Sequence, residues 1–442
     1  MRKIGITFFL LICVITVNAK KSSLTEQYIH NLKQVTDVML NDVASPVAAS
    51  RYYAYITMAT YEIQSLYYPE KYPSLKGYIN GYNGLNISNE QLFQTDGNLA
   101  VLLGIFRTAE KLLPSGYILK ISGDSVFKAF RPALKKDLFK TSKLVDSVVK
   151  QIMIYVRADR FNTLNNMPRY VLKEGGGYWQ PTPPVFMSPI EPHWNKVRPF
   201  FLDSAQQFKV QPPTPYDTLP SSSFYKQVYE VYAYGQKATK EEQDIANFWD
   251  CNPFAVQQIG HIEFGLKKIS PGGHWVGIGG IVTRQTDLDL HETVRVHTLL
   301  SLVLADAFIA CWDEKYRSNR IRPETVIRRL IDPRWKPLLQ TPPFPEYVSG
   351  HSVASNAAAE VLTALFVSPL PYKDDTEVEF GLPIRNFTSF NQAASEASIS
   401  RLYGGIHYRD AIEQGIWQGR EVAKFMITKL GVICRPVYIN RR

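Results

Sequence analysis

The chain reads as an all-α protein, and three observations say so. Its long segments repeat Leu, Val and Ala at i, i+3 and i+4, the spacing of a helix with one apolar face. Strand-like alternation is scarce, and Pro and Gly gather in a few connectors between the periodic segments. With 45% apolar residues among 442, a sizeable core is within reach. No fixed-period repeat or low-complexity tract divides the chain.

Taken in order, residues 1–19 resemble a secretory signal. Arg2 and Lys3 precede an apolar run over 4–17, and Val17-Asn18-Ala19 offers small residues for cleavage. The run is too short to span a bilayer. The expectation is export to the periplasm or the medium, without stable membrane insertion. Ser45-Pro46, an N-cap followed by Pro in the first turn, opens a helix through about 65. Periodicity predicts further helices over 96–113 and 140–160. Residues 175–215, rich in Pro, Gly and Trp, read as an extended connector. Helix resumes at 239–247, and Ser270-Pro-Gly-Gly-His274-Trp275 reads as another turn-rich stretch before a long apolar helix over 288–316. Pro333, Pro337, Pro342, Pro343 and Pro345 keep 332–348 irregular. Helices then follow over 349–366, 392–402 and 407–430. The division expected is a signal (1–19), an N-terminal helical part (20–240) and a C-terminal helical bundle (241–442).

Lys and Arg number 50 against 40 Asp and Glu, for a formal charge of +10, or +8 without Arg2 and Lys3. The basic residues are scattered, which excludes a nucleic-acid footprint. Beyond the signal only Cys251, Cys311 and Cys434 remain, so at most one disulfide can form. No CxxC or HExxH spacing occurs, which argues against a structural zinc or a zinc-protease site.

Three short segments carry the chemistry. Lys315-Tyr-Arg-Ser-Asn-Arg-Ile-Arg322-Pro323 pairs a point charge with a planar fork. Ser349-Gly350-His351 places an N-cap and a small residue at a helix start, where free N–H groups favour an anion. Ser400-Arg401 is followed, across Gly404-Gly405, by His407. Each has a plain structural reading as a surface cluster, a bare cap or a packing histidine. Together they supply three fixed cations, an N–H-rich turn and two imidazoles, which is what a tetrahedral or trigonal-bipyramidal oxyanion requires.

On these residues the chain resembles the superfamily uniting type 2 phosphatidic acid phosphatases, bacterial acid phosphatases and vanadium-dependent haloperoxidases. Ala310-Cys-Trp312-Asp-Glu-Lys315-Tyr, Thr341-Pro-Pro-Phe344-Pro-Glu-Tyr, Gly177-x-Trp179-Gln-Pro-Thr-Pro-Pro and Gly273-His274-Trp275 look like the secreted bacterial haloperoxidase branch. Two departures stand out. Val348 replaces the proline before Ser-Gly-His, and Asp410 follows His407 by three residues where the family has four.

The resemblance implies two helical bundles packed as one domain. It implies vanadate as cofactor, bonded to His407 and surrounded by Lys315, Arg322, Ser349, Gly350 and Arg401. His351 would serve as acid-base and Lys315 would polarise peroxide. Trp312 and Phe344 would line the halide approach, and Asp410 or a backbone carbonyl would orient His407. Hydrogen peroxide and halide are the implied partners, with iodide the first candidate and bromide the next. The alternative is a phosphomonoesterase, an acid or lipid phosphatase, working through a phosphohistidine at His407 with no cofactor and phosphate in the same cage. Oligomeric state stays open.

Overall fold

The computed structural model describes residues 19–130, 136–259, 262–265, 268–367 and 369–437, so the expected signal lies, but for Ala19, outside the described residues. Within them the chain is helical, with two short antiparallel hairpins. The first half forms α1 (Ala19–Asn41), α2 (Pro46–Tyr67), α3 (Asn89–Leu92), α4 (Gly97–Leu112), α5 (Lys120–Phe130), α6 (Leu138–Arg157) and α7 (Ser223–Lys237). After α8 (Lys240–Phe248) come hairpin strands β1 (Val256–Ile259) and β2 (Ile262–Gly265), then α9 (Pro271–Gln285), α10 (Leu290–Ser318) and α11 (Pro323–Leu330). The chain closes with α12 (Gly350–Phe366), β3 (Tyr372–Asp374), β4 (Arg385–Phe387), α13 (Phe390–Tyr403) and α14 (Arg409–Leu430).

Helix α10 organises the molecule. Asp289 caps its start by accepting from the Glu292 N–H, and Asn319 ends it in the left-handed conformation. Every residue from Thr293 to Lys315 is buried, and a helix buried all round needs partners on all sides. It finds them in α2, α9, α12 and α14. By length and composition α10 could cross a membrane, yet its apolar window lies wholly inside the protein. On the far side of α2, α4 packs against it and against α6.

Helices α12 and α14 meet closely because α14 presents glycine to the first turns of α12. A Cβ at Gly419 would lie 2.2 Å from the Val353 carbonyl oxygen, and one at Gly415 would lie 2.9 Å from that of Ser349. The turn carrying Ser349-Gly350-His351 is thereby clamped from behind.

Several elements depart from the sequence reading. The stretch 270–275 is no turn: Ser270 caps α9, its side chain accepting from the Gly273 N–H, and Pro271 occupies the first turn. Helices α1, α3, α5, α7 and α11 were not expected. Helix α11 starts at Pro323, with Arg322 as its extended N-cap residue (φ −80°, ψ 150°). Helix α14 opens at Arg409, two residues later than expected, which leaves His407 in the connector before the helix.

Candidate oxyanion site

The three sequence segments converge around a narrow cavity of about 30 Å³. Its lining includes Trp312, Phe344, Gly350, His351, Arg401 and His407, with Cys251 and Asn252 from the loop after α8. Lys315 and Arg322 stand fully buried alongside, rather than on a surface helix end. Gly350 faces Trp312 and Lys315, both within 3.9 Å of where a Cβ would sit.

Each cation is held by carbonyl oxygens, which fix it without neutralising it. Lys315 Nζ donates to the carbonyls of Pro345 (3.1 Å), Glu346 (3.1 Å) and Val348 (2.6 Å). Burial drives its pKa down to about 7. Arg322 donates through Nε to the Phe344 carbonyl (3.0 Å) and through Nη1 to that of Ile406 (2.8 Å). Burial, helped by the like charge of Arg401 and opposed by Glu346, lowers it to about 10. Arg401 Nη1 donates to the Trp249 carbonyl (2.7 Å), with Asp250 the nearest carboxylate at 3.9 Å from Nη2.

The unsatisfied buried polar atoms are the informative ones. Arg322 Nη2, Arg401 Nε and Nη2, and His351 Nε2 are buried without a hydrogen-bond partner among the described residues. Leaving a buried charged donor unpaired costs on the order of a few kcal/mol each, so the three arginine donors at one cavity suit an anion there. Ser349 caps α12 through its Oγ, which accepts from the Ser352 N–H, and this directs the first-turn N–H groups the same way.

The two imidazoles are neutral and differently used. Burial, then Arg322, Lys315 and Arg401, push His407 well below its usual pKa. Its Nδ1 donates to Glu346 Oε1 at 2.8 Å, which leaves the lone pair on Nε2, 3.2 Å from Arg322 Nη1. Burial and Arg401 likewise depress His351 well below the usual range, although its ring is partly open to the cavity. A hydrogen bond to the Trp249 backbone steadies it.

Asp410 does not orient His407. Because His407 precedes α14, the two residues share no helix face, and the Asp410 carboxylate pairs bidentately with Arg320 (2.7 and 2.6 Å) and accepts from Thr214. Against the upward push of burial, Arg320 and Thr214 hold it at about 2. Neither does a backbone carbonyl take the role. Glu346 takes it: Oε1 also accepts from the Tyr408 N–H (3.0 Å), while Oε2 accepts from Arg320 Nε (2.6 Å). Asp410 thus acts two steps away, on the arginine that positions the glutamate. Sequence reasoning missed Glu346 and Arg320, although both lie inside the quoted motifs. Val348 follows a cis Tyr347–Val348 peptide, and its carbonyl receives the shortest Lys315 contact. Trp312 and Phe344 meet with ring centroids 4.9 Å apart, and Lys315 Nζ lies 5.0 Å from the Phe344 centroid. Cys251, Cys311 and Cys434 are buried free thiols.

Comparison with known proteins accords with this geometry. A family model described as the VCPO second helical-bundle domain matches residues 295–334 and 331–434. No curated protein sequence matches the chain. Among solved structures, one described as the first bacterial vanadium-dependent iodoperoxidase is 43% identical, with a TM-score of 0.87 over 92% of this chain and 96% of that one. A bacterial vanadium-dependent chloroperoxidase shares the fold at 14% identity in its holo form and 15% in its apo form, each with a TM-score of 0.64. They cover 88% and 89% of this chain, and 93% and 95% of theirs. With that identity to the iodoperoxidase over nearly its full length, the chain belongs to the vanadium-dependent haloperoxidases.

Proposed function

We propose that this haloperoxidase holds vanadate through His407 Nε2 and oxidises iodide with hydrogen peroxide. The observation that carries the reading is the set of unpartnered donors on Arg322 and Arg401 around one cavity that also holds the free Nε2 of His351, beside a neutral imidazole whose lone pair is directed by Glu346. These residues fit an oxyanion with one nitrogen ligand, and vanadate supplies Lewis-acid activation of peroxide when bound.

The chain's own groups have separable tasks. Glu346 fixes the His407 tautomer, so Nε2 is the ligating atom. Arg322, Arg401, the Gly350 N–H and Ser349 receive the oxygens. Lys315 spends its three protons on carbonyls, so it acts first as fixed charge. To polarise peroxide it must release one carbonyl. His351, neutral and with Nε2 free, is the base that takes a proton from incoming peroxide and returns it to the leaving oxygen. Trp312 and Phe344 shield the approach from water.

A cavity of about 30 Å³ is small beside the roughly 300–1,000 Å³ of sites for organic ligands. That favours halide and peroxide over the phosphate ester of the alternative reading. The iodoperoxidase relative supports iodide as the first halide, with bromide next. The match to a second helical-bundle model supports reading 241–442 as the bundle that carries the site, with 20–240 as the first helical part. Export to the periplasm or the medium belongs to the same proposal, on the signal-like residues 1–19.

Initial rates with peroxide and iodide, bromide or chloride test the halide assignment. We expect iodide to lead, bromide to trail, and chloride to give no turnover. Chloride oxidation matching that of iodide would overturn it.

A further inference from the structure

Behind the wall that carries Arg401 and His351 lies a second cluster that the haloperoxidase chemistry does not use. Cys251 comes from the loop after α8, His274 from the first turn of α9, and Glu377 from the segment after β3. Their donor atoms all lie within 4.8 Å of one another, and all three residues are buried, at 2%, 0% and 5% exposure. We propose that Cys251, His274 and Glu377 bind one divalent cation of zinc type, with Asp374 orienting the histidine.

The donor chemistry is the first argument. One thiolate, one imidazole and one carboxylate are the ligand types that zinc takes, and a soft sulfur disfavours magnesium or calcium. Geometry is the second. Zinc bond lengths of about 2.3 Å to sulfur and about 2.0–2.1 Å to nitrogen and oxygen imply tetrahedral edges of roughly 3.5 Å (S to N) and roughly 3.3 Å (N to O). Cys251 Sγ lies 3.4 Å from His274 Nδ1, and Glu377 Oε1 lies 3.2 Å from the same nitrogen.

Glu377 also carries an orphaned oxygen. Glu377 Oε1 is buried and makes no hydrogen bond, despite its 3.2 Å approach to Nδ1. A buried carboxylate oxygen aimed at a thiol and a ring nitrogen, with no donor of its own, calls for a cation. Finally, Asp374 sits where an outer partner belongs. Its Oδ2 lies 2.9 Å from His274 Nε2, while Oδ1 accepts from the N–H and hydroxyl of Thr376. With Nε2–H on Asp374, the Nδ1 lone pair faces the other two ligands, the carboxylate–histidine–metal arrangement. The missing local spacing motif does not exclude this site, because its ligands are 23 and 103 residues apart and a spacing motif finds only ligands carried on one short segment.

The site would fix the loop that serves the cage. Trp249 stacks on His274 with centroids 4.5 Å apart, and its carbonyl accepts from Arg401. Cys251 itself lines the cavity. A cation here therefore holds the segment 249–251 against α9 and, through it, the orientation of Arg401 and His351.

Metal analysis of the purified full chain, with any tag removed, tests this. Zinc should co-purify at about one per chain, and cobalt substitution should give a thiolate-to-cobalt charge-transfer band. Cys251→Ser should abolish that band. Glu377→Gln, which keeps volume and fold, should lose the zinc, and Asp374→Asn should weaken cobalt binding about 10–100-fold. Only trace zinc after incubation with excess zinc, and no cobalt–thiolate band in protein with native circular dichroism, would overturn the proposal. The cluster would then be an imidazolium bracketed by two carboxylates. Vanadate binding is read separately on the same samples, so failure here leaves the haloperoxidase reading untouched.

Discussion

Replacing Glu346 by Gln isolates the geometry that separates this site from its sequence pattern. The substitution keeps size and leaves Asp410 in place, but it removes the charge that receives His407 Nδ1–H at 2.8 Å and Arg320 Nε at 2.6 Å. A hydrogen bond to a charged group contributes roughly 1.5–3 kcal/mol. Loss of an outer partner of a metal ligand lowers affinity about 10–100-fold, or about 1.4–2.8 kcal/mol. The two figures agree, so vanadate affinity should fall by one to two orders of magnitude. Fold stability should fall less than the roughly 3–5 kcal/mol of a fully broken buried pair, because Arg320 keeps both Asp410 oxygens. Equilibrium dialysis with vanadium analysis measures the first quantity, and urea denaturation the second. Asp410→Asn, two steps from the imidazole, should cost less vanadate affinity than Glu346→Gln. Unchanged affinity in Glu346→Gln, or a larger loss in Asp410→Asn, would refute the assignment and restore the aspartate as the orienting group.

Three further outcomes follow from the same geometry. His407→Ala should abolish vanadate retention while His351→Ala retains much of it and loses turnover; equal vanadium content in wild type and His407→Ala would remove His407 as the ligand. Lys315, depressed to about 7, is neutral in the anion-free site above that pH, so vanadate must bring it a proton there. Affinity should be full below pH 7 and fall about tenfold per unit above it relative to Lys315→Arg, whose guanidinium stays charged; parallel profiles for the two proteins would contradict this. By the same linkage, the unfolded chain holds the Lys315 proton longer, so this group adds stability to the anion-free protein as pH rises from about 7 towards 10.5. Gly419→Ala drives a Cβ to within 2.2 Å of the Val353 carbonyl and should cost about 1–3 kcal/mol or more in urea denaturation; an unchanged midpoint would show that α12 and α14 can separate freely.

What the sequence made legible was local. Helices α2, α4, α6, α10 and α12 could be read because apolar spacing, caps and proline at the first turn agree within each segment. The motifs likewise named the cage residues, since the cations and imidazoles sit at fixed short offsets. Helix α9 was misread because Pro-Gly-Gly looks like a turn unless Ser270 is recognised as its cap. Helix α7 was missed because its many tyrosines blur the apolar stripe, leaving Phe224, Val228 and Val231 as the buried face. Glu346 was beyond reach for a different reason. Its partners His407 and Arg320 lie 61 and 26 residues away, and only the tertiary fold shows that a glutamate in a proline-rich strap faces the imidazole. The cluster of Cys251, His274 and Glu377 is the same case, brought together from three separate segments.

The most direct test of the account is peroxide-dependent iodide oxidation by chain lacking residues 1–19, titrated with orthovanadate, beside p-nitrophenyl phosphate hydrolysis on the same sample. Iodide oxidation should rise and saturate with vanadate, with weak ester hydrolysis. Phosphate release inhibited by vanadate, with no halide oxidation at any vanadate level, would contradict it.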